Sequence, residues 1–108
     1  MAYDWKLVRQ AESDLNEIVS YLSHGLSNPQ AAERFLQRFQ AVIAETCQFP
    51  ECGSPVVNEF LPVSNVRTQL VGSYVMYYLP DHARQTVFVL RMLYGRRNLE
   101  EILWTLSE

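Results

Sequence analysis

The sequence predicts a single α+β domain in which an antiparallel helical hairpin packs on one face of a mostly antiparallel, four-stranded sheet. Three observations carry that expectation. Hydrophobic spacing runs at period two, switches to helical spacing from residue 10, and returns to strand-like runs after residue 65. A stretch with three prolines and a glycine, residues 50–65, separates the helical part from the strands. The 108 residues suffice for one hydrophobic core and are too few for two.

Tyr3, Trp5 and Leu7 alternate with Asp4 and Lys6, the pattern of a half-buried strand. Ala11, Leu15, Ile18, Val19 and Leu22 then fall on one helical stripe, with Glu12, Asp14 and Glu17 expected outside it. Early acids suit the helix N-terminus, where unpaired amides carry partial positive charge. His24, Gly25 and Leu26 end this helix.

Asn28 followed by Pro29 predicts a second start: Asn accepts an orphan amide hydrogen bond, and Pro at the first helical position has no amide to satisfy. Ala32, Phe35, Leu36, Phe39, Val42 and Ile43 form the apolar stripe, Arg34, Gln37, Arg38 and Gln40 the wet side, and Phe49 and Pro50 the stop. The short connection makes the two helices an antiparallel pair.

Residues 50–65 read as an irregular crossing loop. Val66–Val71 and Tyr74–Leu79 flank Gly72 and Ser73, with glycine first as a type II′ hairpin requires. That turn sets the register: Val71 faces Tyr74, Gln69 faces Met76 and Arg67 faces Tyr78, all on one face. The opposite face carries Val66, Thr68, Leu70, Val75, Tyr77 and Leu79 and is expected to cover the helices. Thr86–Leu93 supplies the last strand, on which Arg91 shares a face with Val87, Val89 and Leu93 and is expected on the less buried side, beside Arg67. Asn98 with Glu101 suggests a capping arrangement for a short terminal helix through Leu106.

Composition excludes several classes of function. At 48% hydrophobic and 19% charged residues the chain is too apolar for a disordered tail. No run approaches the ~18 apolar residues of a membrane span, and Met1–Asp4 does not open a secretion signal, so a cytoplasmic protein is expected. Cys47 and Cys52 do not match a CxxC redox or zinc pattern, and His24 and His82 stand apart from other ligand types, so no metal is expected. Nucleophile-elbow, phosphate-loop and HExxH motifs are missing, and no catalytic residue or cofactor is assigned.

Charge is uneven. The chain carries a net −3, yet Phe60–Leu99 holds five arginines against one aspartate and nets +4, leaving −7 on the remainder. Arginine pairs bidentately with carboxylates and phosphates, so this segment is a candidate surface for an anionic partner.

The order of elements and five stretches resemble the RelE/ParE family of bacterial toxins: AESDLNEIVSYL (11–22), NPQAAERFLQRF (28–39), FPECGSP (49–55), GSYVMYY (72–78) and VLRMLYGRRNLEEIL (89–103). The resemblance implies a type II toxin, associated with plasmid stabilisation and held inactive by a co-expressed antitoxin. The RelE-like branch cuts mRNA on the ribosome. Its pattern has an arginine directly after the tyrosine of the second hairpin strand, lysines on the first hairpin strand and a tyrosine in the terminal helix. Here those places read Val75, then Val66, Arg67 and Thr68, then Leu103; only the arginine after the glycine is matched, by Arg97. SYVMYY and LRMLYGRRN look more like the ParE branch, which implies inhibition of DNA gyrase.

On that resemblance Arg91, Tyr94, Arg96 and Arg97 are the candidate target-binding residues. Arg67, Gln69, Met76, Tyr78 and Arg91 are the candidate antitoxin-binding residues, beneath an acidic antitoxin segment folded over an open sheet face. Two alternatives stand beside this reading. One is a ribosome-dependent endoribonuclease with Arg67, Arg97 and Tyr94 as a replacement site; the other is a non-toxic homologue that only binds antitoxin.

Overall fold

A computed structural model describes residues 2–56 and 65–95. The elements are β1 (Asp4–Leu7), α1 (Arg9–Ser20), a π-helical turn (Tyr21–Gly25), α2 (Pro29–Gln48), β2 (Ser54–Pro55), β3 (Arg67–Val71), β4 (Tyr74–Asp81) and β5 (Thr86–Tyr94). The sheet order is β1-β5-β4-β3-β2. β1 runs parallel to β5, and every other pair is antiparallel. The sheet therefore has five strands where the sequence suggests four. The addition is the two-residue β2, inside the stretch read as loop, which pairs Ser54 with Thr68 and Pro55 with Arg67 at the sheet edge. An edge position tolerates Pro55 because its missing N–H leaves no ladder bond broken inside the sheet. The terminal-helix expectation and Arg96 and Arg97 lie outside the described residues.

The start of α2 follows local chemistry, whereas α1 begins after Val8 with no side-chain cap. Asn28 Oδ1 accepts from the Ala31 amide at 3.1 Å, with Pro29 leading α2. After α1 the chain adds a wider turn, closed by Leu26 N donating to Tyr21 O at 2.8 Å, before Ser27 at φ +50° reverses it into α2. The helical hairpin lies on one sheet face. Phe35, Phe39, Ile43 and Cys47, one turn apart along α2, pack with Ala11 and Ile18 of α1 against Val71, Met76, Tyr78, Val87, Val89 and Met92.

The hairpin register is as the turn requires: Arg67 opposite Tyr78, Gln69 opposite Met76 and Val71 opposite Tyr74, with Gly72 at φ +63°. Its orientation is opposite to expectation. Met76, Tyr78 and Val71 face the helices, while Val66, Tyr77 and Leu93, with Val75, Leu79 and Leu90, form a second cluster on the other face. β4 reads YVMYYLPD, apolar on both sides, so alternation gives no preference between its two faces.

A register shift between Tyr77 and Tyr78 also breaks the parity of β5: Tyr78 pairs with Val89 and Tyr77 with Arg91, leaving Leu90 as the extra residue. Val87 and Val89 thus enter the helix-side core while Leu93 joins the opposite cluster. The expectation that Arg91 shares a face with all three fails for that reason.

Candidate functional site

The predicted residues gather at two separate places. Arg67 and Gln69 stand at the β2 edge, around the turn before β2. Arg67 Nη1 donates to the Glu51 and Gly53 carbonyls at 3.1 and 2.7 Å, and its Nε is buried with no acceptor among the described residues. Gln69 Nε2 donates to Cys52 Sγ at 2.8 Å. Met76 and Tyr78, expected on an open face for a partner, are fully buried in the helix-side core. Tyr78 serves the turn instead: its hydroxyl accepts from the Gly53 amide at 2.9 Å. Burial pushes the Tyr78 phenol up to about 12, opposed by the Gly53 N–H and by Arg67 and assisted by Cys52.

His82, solitary in the sequence, lies beside the same turn. Its Nδ1 is 2.7 Å from Tyr3 OH and its Nε2 3.2 Å from Glu51 Oε1, so it ties the N-terminal segment and the residue 49–54 turn to the β4–β5 connection.

Arg91 belongs to the second place, and its charge is matched internally. Its Nε and Nη2 donate to Asp14 Oδ2 and Oδ1 at 2.7 and 3.3 Å, and the Met92 amide donates to Asp14 Oδ2 at 3.1 Å. The two side chains are only 14% and 8% exposed. The sequence places Asp14 within α1 but outside its apolar stripe, yet it follows Ala11 by three and precedes Ile18 by four. That phase is the buried stripe, and it was the available signal.

Above this pair opens a groove of about 720 Å³ between α1 with its π-helical turn and the ends of β4 and β5. Tyr94, the other described candidate for target binding, stands on its rim, together with Tyr21 and Leu26, which no sequence motif marks as site residues. Tyr74 and Tyr94 meet edge to face with centroids 5.4 Å apart, and Phe35 braces the other side of Tyr74 at 5.1 Å. Burial, with Tyr21 and Tyr94 nearby, pushes the Tyr74 phenol up, so it stays neutral. A smaller hollow of about 150 Å³ adjoins at the hairpin tip, where Arg34 and Arg38 of α2 flank Gly72 and Ser73. Both arginines are exposed. Their spacing of four on the wet side of α2 was visible, but only folding brings them to the hairpin.

A two-helix hairpin on one face of a mixed sheet is the architecture of the RelE/ParE superfamily of type II toxins. The toxin of a chromosomal ParDE system from P. aeruginosa superposes with a TM-score of 0.67 at 20% identity, over 88% of this chain and 98% of that one. The toxin–antitoxin complex RelBE2 from Mycobacterium tuberculosis gives 0.63 at 18% identity, over 87% and 99%. No curated protein sequence matches the chain. The family described as ParE toxin of type II toxin-antitoxin system, parDE, matches residues 6–99, and the chain belongs to that family.

Proposed function

We propose that this toxin-family chain inhibits DNA gyrase in the cytoplasm and is neutralised by a co-expressed antitoxin. The carrying observation is the state of its arginines. A ribonuclease must stabilise the charge that develops on the scissile phosphate, and one lost preorganised donor typically costs about 10²- to 10³-fold in rate. β4 carries Val75 where the RelE-like pattern has arginine, and Arg67, the nearest substitute, has its Nη1 held by two backbone carbonyls. A guanidinium also stays protonated and cannot serve as acid or base.

The antitoxin interface is best supported at exposed polar groups. Arg34 and Arg38 beside the hairpin tip suit an acidic segment, with Gln69 at the sheet edge, while Met76 and Tyr78 drop out because a partner cannot reach them. Tyr94 stays a target-binding candidate, joined by Arg96 and Arg97. Arg91 contributes by holding the groove floor.

Pulse labelling in cells tests the reading. Induction of this chain should arrest thymidine incorporation before methionine incorporation, and co-expression of the product of the adjacent reading frame should restore both. Early loss of methionine incorporation, with mRNA cut at codon boundaries, would assign the ribonuclease activity instead.

A further inference from the structure

We propose that the groove lined by Tyr21, Tyr74 and Tyr94 receives one basic side chain, arginine or lysine, from the antitoxin. The inference rests on the toxin reading above and names what that partner must carry.

Three features converge. The aromatic walls come first. Tyr74 and Tyr94 stand nearly perpendicular, with an interplanar angle of 78°, and Phe35 fixes Tyr74 from behind. Tyr21 lines the α1 side, and Tyr21 and Tyr94 remain 56% and 62% exposed, so ring surface is open to a ligand. Aromatic faces carry negative potential and attract cations, arginine most often.

Charge is the second feature. Asp14, Glu17 and Arg91 all line the groove. Asp14 and Arg91 cancel each other through two hydrogen bonds, which leaves the exposed Glu17 carboxylate as the unmatched charge among the described residues that line the groove. Along α1 the adjoining hollow adds Glu12, with Arg9 also lining it. A second anion would meet Glu17 unfavourably here, whereas a cation gains both Glu17 and the rings.

Shape is the third. Leu22 and the 53%-exposed Leu26 also line the groove. They offer apolar cover to the methylene stem that a long basic side chain lays down before its charged head. The acidic antitoxin segment proposed for Arg34 and Arg38 would meet this groove at Ser73 and Tyr74, which line both hollows. The partner therefore needs a basic residue and an acidic one on neighbouring parts of its surface.

The test uses the full chain and short overlapping peptides covering the product of the adjacent reading frame, with affinities read by titration calorimetry. One peptide should bind, and replacing a single arginine or lysine in it by glutamine should weaken it about three- to thirtyfold, the range expected for a cation on aromatic rings. Tyr94→Ala and Glu17→Gln should each weaken the parent peptide several-fold. Both should have little further effect on the glutamine peptide, and Tyr94→Phe should keep most of the affinity. Both substituted positions are exposed, so the variants should fold. If the intact antitoxin binds but loses nothing when its basic residues or these groove positions are replaced, the groove proposal is overturned and the toxin reading stands. If the intact antitoxin does not bind at all, both fall.

Discussion

Asp14 and Arg91, 77 positions apart, fasten α1 to β5 through a two-point contact at 2.7 and 3.3 Å, with the Met92 amide as a third donor on the same carboxylate. The pair closes the floor of the tyrosine groove and removes the one described arginine of β5 from the surface. Breaking a buried pair leaves the other charge unmatched, at a cost of about 3–5 kcal/mol. Asp14→Ala and Arg91→Ala should each lower stability by about that much, and the double variant should lose less than the sum. Urea denaturation of the four proteins measures it. Loss of toxicity in Arg91→Ala should then track the unfolded fraction.

Gly53 should resist any side chain. A Cβ there would lie 2.5 Å from the Thr68 carbonyl oxygen and 2.6 Å from the Tyr78 hydroxyl. Gly53→Ala should cost about 1–3 kcal/mol through overpacking. Tyr78→Phe, which leaves the Gly53 amide without its acceptor, should cost about 1–3 kcal/mol. Thermal melts should show both as falls of roughly 4–8 °C per kcal/mol.

Alkaline pH should destabilise the fold through Tyr78. Its phenol is raised from 10.0 to about 12 in the folded chain, chiefly by burial. Above pH 10 the unfolded chain loses this proton while the folded chain keeps it, so stability is intact below pH 10 and declines as pH rises toward 12. Chemical denaturation across that window should show the decline, and Tyr78→Phe should reduce it, leaving the smaller part owed to Tyr74 and Tyr77, whose phenols burial also raises.

The two thiols should differ in reactivity. Cys52 is exposed, whereas Cys47 is buried in the core with its thiol pushed up by burial and by Asp4. A disulfide reagent at neutral pH should modify Cys52 rapidly and reach Cys47 only on unfolding. Cys52→Ser should abolish the fast phase.

What the sequence disclosed was local. Asn28–Pro29 marked the start of α2, and Gly72–Ser73 fixed which residues of β3 and β4 face each other. Neither signal reaches across the sheet. β4 is apolar on both sides, so nothing local said which face meets the helices, and the shift at Tyr77/Tyr78 that redirects β5 has no residue signature. The site suffered most, because its charges are settled by distant partners. Arg91 reads as a free cation until Asp14 is placed beside it, and Tyr21, Tyr74 and Tyr94 meet only after folding.

Gyrase itself offers the most direct test of the functional account. Purified gyrase, relaxed plasmid and ATP are combined with increasing amounts of the full chain, and the DNA products are resolved on a gel. The account predicts loss of supercoiling with accumulation of cleaved plasmid, reversed by the antitoxin. Undiminished supercoiling at a large molar excess of the chain, from a preparation that cuts ribosome-bound mRNA, would contradict it.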